Sequence, residues 1–177
     1  DIIKSVRETI DVGRKAGVTV DISHHKTLGK ANWGLQKETL RLIQEARDEG
    51  INVVCDQYPY TCNMTHLNAC IPPWYFDQGF DIMTEQLKDP EFRAKLRKEM
   101  EDPETPYDNY YLNAGGWSGV FVSSSTQTPQ AEGKFISEYA AEIGKDPWDA
   151  FFELMVENKC SSGGVYSSMC GADVCEI

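Results

Sequence analysis

Ser23-His24-His25-Lys26 sets two of the chain's three histidines beside a lysine. Imidazole binds metals and moves protons near neutral pH, and a lysine ammonium pairs with anions. The run follows a segment in which Val18, Val20 and Ile22 share one parity and Thr19 and Asp21 the other. Period two with β-branched residues predicts a strand over 18–24. The histidines therefore stand where a strand gives way to a loop bearing Gly and Asn, the end of a parallel α/β sheet at which ligands bind. Successive strand side chains point to opposite faces, so adjacent histidines cannot both enter one site. His24 shares parity with Val20, Ile22 and Lys26, and His25 with Ser23. One histidine is expected to enter the site while the other packs or hydrogen-bonds behind it. A purely structural, hydrogen-bonded pair is the competing reading.

A second strand over 51–58, bounded by Pro59, brings Asp56, Tyr58 and Tyr60. Tyr-Pro-Tyr also serves simply to end a strand with its aromatics half buried. His66 reads as a loop histidine and Cys55 as a core residue.

The elements that must position these groups follow one grammar up to residue 60. Ile3, Val6 and Ile10 fall on one helical face of residues 2–16, and Gly17 follows Arg14 and Lys15 as a stop. A second helix spans 34–48, with Gly50 ending it. Helix, strand, helix, strand with short connections implies parallel strands with helices outside. Residues 61–116 form an irregular, mostly helical excursion rich in Pro and aromatics, within which Asp89-Pro90 reads as a cap and first-turn proline for a helix to about Met100. Residues 117–177 read as a short strand at 119–123, helices at 134–142 and from Asp146-Pro147 to Glu157, a strand-like stretch at 164–168, and a first helical turn from Ala172. The chain is thus divided into segments 1–60, 61–116 and 117–177.

Composition narrows the partners. Asp plus Glu number 28 against 17 Lys plus Arg, a net charge of −11, which argues against nucleic acid and anionic membranes. No apolar run approaches the roughly 20 residues that a spanning helix needs, and the first residues lack the pattern of a signal peptide. None of the six cysteines forms a C-x-x-C pair. Reduced thiols and a cytoplasmic location are expected. The absence of an initiator Met fits a processed product or a piece of a longer protein.

ISHHK, the loop TLGKANWG, the helix KETLRLIQEARDEGI and a strand ending in DQYPY resemble, in that order, the N-acyl-D-amino-acid deacylases (D-aminoacylases) of the amidohydrolase superfamily. GKFISEYAAEIGKDPWDAFFELMVEN is similar to that family's helix pair ahead of its last barrel strand. The resemblance implies an α/β fold, here a partial (β/α)8 barrel segment with two parallel strands and a mostly helical excursion. It implies zinc as cofactor and an N-acyl-D-amino acid as substrate. By resemblance His24 matches a zinc ligand, and Lys26 and Tyr58 match positions near the substrate, with Lys26 pairing with its carboxylate. The family's H-x-H motif, its metal-binding cysteine and the histidine of the preceding strand have no counterpart here, and its acid/base Asp in an S-D-G context would lie beyond Ile177. No catalytic residue is therefore assigned within the chain. It is expected to be an internal segment of a deacylase, inactive and self-associating in isolation. The alternative is a non-catalytic binding or oligomerisation module without metal.

Overall fold

Asp1 opens the first helix, α1 (Ile2–Ala16), by accepting a hydrogen bond from the Lys4 backbone N–H at 3.2 Å. Gly17 closes it in the left-handed conformation that only glycine adopts without penalty, donating to the Gly13 carbonyl at 2.9 Å. In this computed structural model, which describes residues 1–176, the chain forms an α/β fold of helices and two small sheets. It divides into two units, residues 1–61 with 169–176, and residues 62–168.

In the first unit α1 leads to β1 (Val20–Ile22), and α2 (Gln36–Asp48) leads to β2 (Val53–Cys55). The two strands pair in parallel, Val20 opposite Val53 and Ile22 opposite Cys55. Val20 and Val53 are buried with Val6 and Ile10 of α1 and Ile43 and Ala46 of α2, so one sheet face is covered by the helices. Asp21 and Val54, on the other parity, are exposed. The helix–strand alternation and the parallel pairing are those expected from the sequence. The strands are shorter than expected, because the backbone turns away at Ser23 and at Asp56. Residues 169–176 return to this unit and carry the short helix α8 (Gly171–Val174).

The second unit is built on an antiparallel sheet of β3 (Asn63–His66), β4 (Val120–Ser124) and β5 (Gly163–Tyr166), with β5 in the middle. β5 thus joins strands that the sequence reading places in two different segments. β3 is not expected from the sequence: NMTH has a single β-branched residue and becomes a strand through pairing with β5 about a hundred positions away. Gly163 is fixed by close approach, since a Cβ there would lie 2.6 Å from the hydroxyls of both Ser123 and Ser124. Around the sheet stand α3 (Phe80–Gln86), α4 (Pro90–Glu101), α5 (Tyr110–Asn113), α6 (Ile136–Glu142) and α7 (Pro147–Glu157). The expected Asp-Pro starts are present: Asp89 accepts from Glu91 N and Asp146 from Trp148 N, each at 2.9 Å. The core centres on stacked aromatics, with Trp117 4.4 Å from Phe151 and 4.9 Å from Trp148 between ring centroids. Among the described residues no helix is long and apolar enough to cross a membrane.

Candidate metal and substrate site

The two histidines part at the end of β1. His25 is buried, at 2% exposure. Its Nε2 lies 2.8 Å from Thr39 Oγ1, whose single hydroxyl proton goes to the Gln36 carbonyl at 2.8 Å, so the imidazole donates from Nε2. Its Nδ1 then accepts from Gln36 Nε2 at 3.2 Å. Both nitrogens are spent on α2 and its first turn, which makes His25 the structural member of the pair. Burial, aided by the Lys26 charge, lowers its pKa from the usual imidazole value. A lowered imidazole pKa favours folding above the ordinary value near 6.5, and that contribution is lost as pH falls through it, because the unfolded chain takes up the proton first. Denaturant melts should therefore show stability falling between pH 7.5 and 5.5, with a slope of at most about 1.4 kcal/mol per pH unit from this residue. The His25→Asn variant should lose that part of the slope.

His24 is exposed and sits in the left-handed region at φ 53°, which costs a non-glycine residue about 1–2 kcal/mol. Its backbone N–H donates to Asp56 Oδ1 at 2.7 Å, and Ser23 Oγ donates to Asp56 Oδ2 at 3.4 Å. Lys26 reaches back to donate from Nζ to the His24 carbonyl at 3.0 Å. The same ammonium stands 5.2 Å from the centroid of the Tyr58 ring, a cation–π distance. The Tyr58 ring is in turn 5.8 Å from the His24 ring. Burial lowers the Lys26 pKa, and the Asp56 carboxylate partly opposes that shift.

The three residues singled out in the sequence, His24, Lys26 and Tyr58, are thus one cluster at the carboxyl ends of two parallel strands. His66 lies on β3 in the other unit, where its carbonyl accepts from the Tyr166 hydroxyl at 2.8 Å. Two further residues hold the site loops. Asp56, which the sequence places on the second strand without a role, grips the end of β1 through its carboxylate. Asp173, on α8, is buried and accepts from Thr27 Oγ1 at 2.9 Å and from the Gly34 backbone N–H at 2.9 Å. It fastens the loop after Lys26 across about 140 positions, a separation at which no local sequence signal exists.

An exposed imidazole at a strand end fits one position in a zinc coordination sphere. Among the described residues no group of three or more His, Cys, Asp and Glu side chains could hold a metal ion. The cluster can therefore donate one nitrogen to a metal and offer a cation and an aromatic face to a bound molecule.

No family model matches the chain. It is 43% identical over 165 residues, 93% of its length, to an N-acyl-D-glutamate deacylase of Alcaligenes xylosoxydans xylosoxydans. Among solved structures it is similar to D-aminoacylase, described as defining a novel subset of amidohydrolases, with a TM-score of 0.63 and 27% identity over 99% of the chain. The fold also matches an N-acyl-D-glutamate deacylase of Bordetella bronchiseptica, solved with zinc and a phosphonate mimic of the tetrahedral intermediate, at a TM-score of 0.61, 24% identity and 96% coverage of the chain. In each case the chain spans about a quarter of the relative's length, 24% to 27%. In sequence and fold it is similar, over that quarter, to N-acyl-D-amino-acid deacylases and to D-aminoacylase.

Proposed function

We propose that the chain forms part of a longer zinc-dependent hydrolase that removes the acyl group from N-acyl-D-amino acids. In this reading β1 and β2 are neighbouring strands of a (β/α)8 barrel, α1 and α2 are its outer helices, and residues 62–168 are an insertion. The observation that carries it is the convergence of His24, Lys26 and Tyr58 at the carboxyl ends of two parallel strands, where barrel enzymes place their chemistry. The similarity to deacylases supports the substrate class, and the binuclear metal centre described for D-aminoacylase, 27% identical, supports a metal. His24 gives the metal one imidazole nitrogen, and the other ligands come from residues outside this chain. Bound zinc supplies a Lewis acid and a water that ionises near neutral pH. Lys26, held against Tyr58 by its cation–π contact, turns its ammonium from the His24 carbonyl to the substrate carboxylate. Tyr58 walls the site beside it.

Replacing Lys26 tests the substrate assignment. In the longer protein Lys26→Met should lower kcat/KM for an N-acyl-D-amino acid by about 30- to 1,000-fold, the ~2–4 kcal/mol expected for removing one partner of a water-excluded charge pair. Zinc content should stay at the wild-type level. An unchanged kcat/KM would take Lys26 out of the substrate site.

A further inference from the structure

We infer that Asp56 is a positioning residue that aims the His24 imidazole at the metal, an assignment that rests on the reading of His24 as a zinc ligand. Were the β1 backbone to continue extended, the His24 side chain would fall on the face of Val20 and Ile22, and Val20 on that face is buried against the helices. The ring would then point into the helix layer. The structure avoids this with a single kink: φ 53° at His24 re-aims the side chain to the exposed side.

A left-handed conformation at a histidine needs an outside restraint, and Asp56 supplies most of it. Its Oδ1 accepts the His24 N–H at 2.7 Å, its Oδ2 accepts the Ser23 hydroxyl at 3.4 Å, and its backbone carbonyl accepts the His25 N–H at 2.8 Å. One residue at the end of β2 thus grips three consecutive residues at the end of β1. The backbone bond to His25 survives any substitution at Asp56 and keeps the strand ends together. The bond to the His24 N–H belongs to the carboxylate alone. The Asp56 carboxylate also forms no ion pair within 4 Å among the described residues, so its hydrogen-bonding capacity is directed at the kink. The Lys26 ammonium holds the next peptide unit, on the other side of the His24 Cα, through the His24 carbonyl at 3.0 Å.

The experiment uses the longer protein and reads zinc affinity by chelator competition, alongside thermal stability, kcat and KM. Asp56→Ala should weaken zinc binding by about 10- to 100-fold, the range for residues that orient a metal ligand through a hydrogen bond. KM for the substrate measured at saturating zinc should stay near wild type. Asp56→Asn keeps an acceptor oxygen and should restore affinity to within a few-fold. Should the alanine variant not fold, Asp56→Glu serves in its place: it keeps the charge but shifts the oxygens by one methylene, and should weaken zinc binding by at least about tenfold. A wild-type zinc affinity in folded Asp56→Ala or Asp56→Glu, with only the melting temperature lowered, would make Asp56 a strand-end cap and overturn the assignment. His24→Ala in parallel separates the two claims. If it leaves zinc affinity unchanged, the metal-ligand reading fails. If it weakens zinc while the Asp56 variants do not, only the positioning role fails.

Discussion

His24→Ala in the longer protein is expected to release most of its zinc on dialysis and to lower kcat/KM by three orders of magnitude or more, roughly 4 kcal/mol of transition-state stabilisation. The size follows from what the imidazole does. A catalytic zinc that His24 would help to hold would lose a ligand, and with it the ability to lower the pKa of a bound water. Folding should be spared, because the His24 side chain is exposed and its ring stands 5.8 Å from that of Tyr58, outside any close-packed core. His25→Ala should behave in the opposite way. It leaves Thr39 and Gln36 short of a buried partner, which lowers stability by about 1–3 kcal/mol while leaving zinc content near wild type in the folded fraction. Equal loss of zinc from both variants would mean that the division of labour between the two histidines is wrong.

The 177-residue chain by itself is expected to turn over no N-acyl-D-amino acid and to associate with copies of itself. Inactivity is ligand arithmetic, since one imidazole cannot close a zinc site. Association follows from the sheet of the first unit. Among the described residues β1 and β2 pair only with each other, so each has an outer edge with no strand beside it, although on β2 the Val53 carbonyl is taken by Arg47 Nε at 2.8 Å. Val18 is 49% exposed and Val54 43%, and wet apolar surface of this kind costs about 25 cal/mol per Å². Edge-to-edge pairing between copies, or exchange of strands, relieves both penalties. Sizing with light scattering across a hundredfold range of concentration should show the mass rising above that of a monomer. A strict monomer throughout would show that the edges are covered within one chain.

Much of this architecture is legible in the sequence because it rests on local signals. The β-branched alternation before Ser23, the Gly17 stop and the two Asp-Pro caps each act over a few residues, and each stands where it was expected. What was not legible depends on distant partners. β3 exists because β5 pairs with it, and α5 lies past the helix expected to end near Met100, although Asn109 caps it by accepting from Leu112 N at 3.0 Å. The site shows the same division. Side-chain alternation requires two adjacent histidines to part, but extrapolated from Val20 and Ile22 it sends His24 towards the helices. The kink that reverses this is held by a carboxylate 32 positions away, and sequence parity carries no trace of it. Likewise Thr39 and Gln36 reveal nothing of their bond to His25 until α2 is docked.

These residues are expected to contribute one metal ligand to a site completed elsewhere in a longer chain. Metal analysis after dialysis tests this most directly, run on the isolated 177 residues, on the longer protein and on its His24→Ala variant. Close to no zinc is expected on the isolated chain, at least one zinc per longer chain, and a marked loss of that zinc in the variant. One zinc per isolated chain, or full zinc in the His24→Ala variant, would contradict this expectation.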